Sequence, residues 1–144
     1  MSIRSKILLT LQFLCFGYFA LFQQLLTSGI LLIFQISGFA LCIWSIAVMG
    51  IGNFNAQPEV KTGAQLIRKG PYSILRNPMY TGLLLFFGFG LIQHFNWPGA
   101  LVFILLCFVF ALKIIDEEKF LSKRFGNSYL DYKRSTYRLI PLLW

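Results

Sequence analysis

Two short polar runs interrupt a chain that is otherwise close to hydrocarbon. The first holds Gly70, Pro71 and Tyr72 and then Arg76, Asn77, Pro78, Met79 and Tyr80; the second is Asp116, Glu117 and Glu118. Gly70 and Pro71 break an incoming helix, and Pro78 suits the first position of a new one, where its missing N–H costs nothing. Asn77 then stands where a helix cap is expected. Arg76, Asn77 and Tyr80 would crowd the positive end of a helix dipole, which suits a carboxylate, a phosphate or a ribose hydroxyl. Carboxylates in the second run suit a cation. If its helix runs on, Lys113 and Glu117 share one face at a spacing of four. A zwitterionic or cationic soluble ligand fits between two such groups. Either Glu118 or Asp116 could take up a proton.

The rest of the chain determines whether the two runs meet. Of 144 residues, 57% are hydrophobic, 12% are charged and sixteen are Phe. A soluble domain carries about a quarter charged residues, so the solvent is a bilayer and the length allows one domain over 1–144. Four apolar segments stand out, at about 7–26, 30–52, 78–95 and 98–115. Each reaches roughly 27–34 Å as a helix, against a hydrocarbon core of about 30 Å. Backbone groups in lipid must be satisfied internally, so the segments are expected to be helices. The fold class is therefore all-α, a polytopic membrane protein with four spans. Leu121, Phe125 and Tyr129 recur at four-residue spacing in the C-terminal segment and predict an amphipathic helix at the interface.

Charge placement supports this count. All 13 Lys and Arg residues fall at the N-terminus, between the second and third segments, or at and after the end of the fourth. The turns at Thr27 to Gly29 and His94 to Gly99 carry none. The positive-inside rule places the basic side and both termini in the cytoplasm, with the short chain suiting a bacterial inner membrane. The net charge of +8 is then a topology signal that favours anionic headgroups, and nucleic acid is not an expected partner. Cys15, Cys42 and Cys107 lie singly in apolar segments and suggest neither a disulfide framework nor a metal site. His94 beside Trp97 reads as an interfacial residue on the opposite face. A transporter would need an ionisable residue deep in a span. The first three segments have none, and Lys113 lies at the end of the fourth. A non-catalytic scaffold with the same fold is the other alternative.

Gly70, Pro71 and Tyr72, the run Arg76 to Tyr80, Glu117 and Glu118 with Leu121, Phe125, Gly126, Tyr129 and Tyr132, and the closing Arg138 to Pro141 together resemble the isoprenylcysteine carboxyl methyltransferase family and its phospholipid methyltransferase relatives. The resemblance covers about 57–141, with the ligand segments at 57–82 and 113–141. It implies an integral-membrane methyltransferase that uses S-adenosylmethionine and releases S-adenosylhomocysteine. Carried over by motif position, Gln57 and the stretch Ala64, Gln65, Leu66 and Ile67 would hold the cofactor, the stretch through backbone groups. Tyr72, Asn77, Pro78, Met79, Tyr80 and Glu117 would complete that pocket. Lys113 and Arg76 would meet the acceptor, and Lys113, Glu117 and Glu118 are the candidate catalytic residues. Two departures are visible. Asn77 stands where the family often has His, which removes a group that titrates near pH 7. Lys113 stands where prenylcysteine methyltransferases place Arg, which removes a bidentate fork. The acceptor therefore stays open between a prenylcysteine-like carboxylate and a lipid amine, and the sequence leaves the oligomeric state open.

Overall fold

Ser2 opens the first helix by accepting a hydrogen bond from the Ser5 amide at 3.1 Å, so α1 (Ile3–Phe22) begins four residues before the apolar run suggests. The computed structural model describes residues 2–50 and 65–141. Its further helices are α2 (Gly29–Met49), a 3₁₀ turn (Gly70–Ser73), α3 (Pro78–Gln93), α4 (Trp97–Phe125) and α5 (Asn127–Arg134). Among the described residues there is no strand, only an isolated parallel bridge between Leu75 and Tyr137. The chain is an all-α polytopic membrane protein. Helices α1, α2 and α4 are long and apolar enough to cross a bilayer, and α3 is a shorter apolar helix.

Four expected boundaries are corrected. Helix α1 stops at Phe22 instead of 26 and α2 at Met49 instead of 52. Helix α3 has 16 residues, about 24 Å, and stops at Gln93 instead of 95, short of the thickness its apolar run suggests. Helix α4 does not end at 115. It continues to Phe125 because nothing from Asp116 to Phe125 breaks a helix, and it stops at Gly126, whose φ of 51° and ψ of −127° suit only glycine. The Leu121, Phe125 and Tyr129 face is therefore split by Gly126, and the separate amphipathic helix is α5, which buries Tyr129 and Tyr132.

The bundle is apolar outside and partly polar inside, as a lipid solvent dictates. Phe13, Leu14, Ile33, Ile36, Leu101, Ile104 and Phe108 are exposed, whereas Gln12, Gln35 and Ser45 are buried. Gln35 uses its whole amide group. It donates to the carbonyls of Leu25 at 2.5 Å and Phe86 at 3.1 Å, and it accepts from the Thr27 amide and hydroxyl at 3.0 Å each. One side chain thus ties the α1–α2 turn to α3. Gln35→Leu leaves these partners unpaired and is expected to cost about 2 kcal/mol, read as an earlier thermal unfolding midpoint in detergent.

Helices α2 and α3 touch through glycine. A Cβ on Gly82 would lie 2.5 Å from the Gly38 carbonyl oxygen and 2.9 Å from the Cys42 amide nitrogen, so the obstacle is backbone that cannot rotate away. Gly82→Ala is expected to destabilise by about 3 kcal/mol, visible as loss of monodisperse protein on size exclusion. Helices α1, α3 and α4 form the core, where Phe87 stacks on Phe16 at 5.1 Å and Tyr80 lies against Phe110 at 4.7 Å. This packing fixes the N-terminal turn of α3 beside the later turns of α4.

Candidate functional site

The two polar runs meet. Pro78 starts α3, so Tyr80 lies in its first turn with 3% of its surface exposed, and its hydroxyl donates to Glu117 Oε1 at 2.5 Å. Because α4 remains helical past 115, Lys113 and Glu117 are one turn apart on one face. Lys113 is 1% exposed; its ammonium donates to Gln12 Oε1 at 2.5 Å and stands 5.5 Å from the centre of the Tyr80 ring. A cation, an aromatic face, a phenol and a carboxylate thus stack at one end of the bundle. Gln12 of α1 carries no functional signal in the sequence, because a lone Gln in an apolar run has no motif.

Arg76 and Glu118 are neighbours too, in a different arrangement. The Glu118 carboxylate accepts from Arg138 in bidentate fashion, at 2.9 Å from Nε and 2.8 Å from the terminal nitrogen. It also accepts from Arg76 Nε at 3.2 Å and pairs with Lys133 at 3.2 Å. Arg76 further donates to the carbonyls of Lys133, at 2.9 Å, and Thr136. A carboxylate held by three cations is a poor proton acceptor, and an arginine with these partners is poorly placed to reach an acceptor. The geometry sets these two residues as the clasp that closes the C-terminal segment over the loop. Arg138 and Lys133 supply its other half; nothing in their spacing from Glu118 signals the contact.

Asn77 was expected to cap α3, and that expectation is corrected. Its side chain makes no capping bond and donates instead to the Arg138 carbonyl at 2.9 Å. The reason is the neighbouring bridge: the Arg76 amide donates to Tyr137 O at 2.7 Å and the Tyr137 amide to Ile74 O at 2.9 Å, which lays the C-terminal segment alongside residue 77. Thr81 adds a bond from its hydroxyl to Leu139 O at 2.8 Å. The first amides of α3 are left without a side-chain cap, directed toward the start of the helix.

The remaining expected residues fall around this centre. Tyr72 is buried in the 3₁₀ turn, and its carbonyl accepts from the Tyr132 hydroxyl at 2.7 Å. Burial, reinforced by nearby Tyr132 and Glu117, pushes the Tyr72 phenol up, and burial pushes Tyr132 up to about 12, so both stay neutral donors. Pro78 is buried and Met79 half-buried against the core. Gln65, Leu66 and Ile67 form irregular chain leading to the turn, with Gln65 exposed and the other two half-buried. Gln57 and Ala64 lie outside the described residues. Tyr129 of α5 is 1% exposed, and its hydroxyl is the one buried side-chain polar atom without a hydrogen-bond partner among the described residues. Among those residues no cluster of His, Cys, Asp and Glu could hold a metal ion.

Apolar spans that carry a buried cation, a phenol and a carboxylate at the α3–α4 contact define a polytopic membrane protein with a polar site built into its bundle. The family model for phospholipid methyltransferase matches residues 24–128, which takes in α2, α3, all of α4 and with them Tyr80, Lys113 and Glu117. The chain belongs to the phospholipid methyltransferase family, methyltransferases for lipophilic substrates. No curated protein gives a match.

Proposed function

We propose that this protein transfers a methyl group from S-adenosylmethionine to a lipophilic acceptor at the cytoplasmic face of the membrane. The observation that carries the reading is the 2.5 Å contact between Tyr80 and Glu117, which sets a carboxylate beside a helix start whose amides lack a side-chain cap.

The donor set suits the cofactor. A carboxylate matches a cationic amino group, the uncapped amides of α3 match a carboxylate, and the unpartnered hydroxyl of Tyr129 is a polar atom that lacks a partner without a ligand. When bound, S-adenosylmethionine supplies an electrophilic methyl group on a sulfonium. Glu117 would hold the amino group, and Tyr80 would fix the rotamer of Glu117. Tyr72, Asn77, Pro78 and Met79 would form the wall. The clasp at Glu118 would keep α5 and the C-terminal segment closed over the loop, excluding water and fixing the reacting groups about 3–3.5 Å apart.

Family membership favours the headgroup amine of a phospholipid as the acceptor. Such an amine must lose a proton; Asp116 and Glu118 are already paired with cations and Glu117 would be engaged by the cofactor's amino group, which leaves solvent to take it. The buried ammonium of Lys113 favours a second reading, an anionic acceptor such as a prenylcysteine-like carboxylate. Charge would then be neutralised in the transition state and no base would be needed. The test is reconstitution with methyl-labelled S-adenosylmethionine in vesicles of phosphatidylethanolamine or with a prenylcysteine. Label in the phospholipid supports the first reading and label in the prenylcysteine ester the second. Label in neither, with S-adenosylhomocysteine failing to bind in calorimetry, refutes the proposal.

A further inference from the structure

A concavity opens between the start of α1 and the last turns of α4. Its volume is about 300 Å³, and Arg4, Asp116, Lys119, Phe120 and Lys123 are among the residues that line it. On α4, positions 116, 119, 120 and 123 follow the i, i+3, i+4, i+7 rule and form one face. Glu117 points roughly a third of a turn away from that face, so the groove is separate from the contact with Tyr80. Arg4 pairs with Asp116 at 2.9 Å, which offsets the single carboxylate in the groove. Lys119 and Lys123 are exposed and, among the described residues, have no carboxylate partner. Phe120, 40% exposed, supplies an apolar wall of the groove.

A positive concavity at the end of two spans, with the exposed ring of Phe120 in its wall, has the chemistry of a headgroup site. A free phosphate would use the cations and leave Phe120 idle. We propose that this groove binds the phosphate of an anionic phospholipid from the adjoining leaflet, with an acyl chain lying against Phe120. Each basic residue near a charged membrane surface strengthens the attraction by about fivefold, so two of them should change affinity by roughly tenfold or more.

The full chain in neutral detergent is titrated with dioctanoyl-phosphatidylglycerol and, separately, dioctanoyl-phosphatidylcholine, with occupancy read by native mass spectrometry. No methyl donor is present, so the result is independent of the catalytic reading. Tighter binding of the glycerol lipid is expected, with roughly tenfold weaker binding in the Lys119→Gln, Lys123→Gln double variant. The Lys119→Arg, Lys123→Arg pair should keep the affinity. The charge-matched Arg124→Gln, Arg134→Gln double variant should hold it within about twofold. Equal losses in both Gln pairs would overturn the site in favour of diffuse attraction. Displacement of the lipid by inorganic phosphate would make it a soluble-anion site. Equal binding of the two lipids would remove the role of charge.

Discussion

Glu117→Gln is expected to lower kcat/KM for methyl transfer by roughly 10²-fold to 10³-fold while leaving the unfolding midpoint within a few degrees. Gln keeps the size of the side chain and can still accept from the Tyr80 hydroxyl, now 2.5 Å from the carboxylate, so packing is preserved. What it loses is charge. Truncating one side of a buried charge pair costs about 2–5 kcal/mol, and each 1.4 kcal/mol is a factor of about ten. If Glu117 holds the cationic amino group of the cofactor, the loss falls on binding, and calorimetry with S-adenosylhomocysteine should show it directly. Tyr80→Phe removes only the hydroxyl that orients the carboxylate. It should cost about tenfold to a hundredfold, the range for a hydrogen bond to a charged group. The order of the two variants is diagnostic. A Glu117→Gln protein that binds S-adenosylhomocysteine normally but unfolds early would make Glu117 a structural carboxylate and remove the main support for the catalytic reading.

That Tyr80 and Glu117 meet is legible in the sequence because the constraints are topological. Every basic residue lay on one side of a four-segment reading, so the loop and the C-terminal segment had one face to share. Pro78 marked the start of α3, since a proline after a polar loop has few other places in a helical membrane protein. The limits were equally physical. Apolar composition marks what lipid tolerates and not where a helix stops, so α3 was read too long by two residues and α4 too short by ten. Asn77 carried the right chemistry for a cap, but a cap competes with any backbone carbonyl brought close by tertiary structure, and Arg138 O won. The partners of Glu118 come from Arg76, Lys133 and Arg138. A spacing of 15 or 20 residues across the Gly126 turn has no periodicity to reveal it. Gln12, far away in α1, becomes relevant only once α1 and α4 pack side by side.

Glu118→Ala is the substitution expected to do most to stability. Its carboxylate is the shared acceptor for Arg76, Arg138 and Lys133, and the side chains of Arg76 and Glu118 are each 9% exposed. Removing one member of a buried ion pair typically costs 3–5 kcal/mol, because the charges left behind are desolvated and uncompensated. Lys133 is 41% exposed and recovers water when released, so most of the loss comes from the two arginines. The C-terminal segment should detach first, since Tyr137 and Arg138 are held to the loop by only a few bonds around residues 74–77. Trypsin reads this directly, as faster cleavage after Lys133, Arg134 and Arg138 in the variant than in the parent. The kinetic signature separates the clasp from a proton acceptor. A clasp raises KM for S-adenosylmethionine and leaves kcat at saturation largely intact, because bound cofactor helps to close the segment again. A base lowers kcat at every cofactor concentration and leaves the trypsin pattern unchanged. Three cations on one carboxylate argue for the first outcome, since the proton that a base must accept would have to displace an arginine.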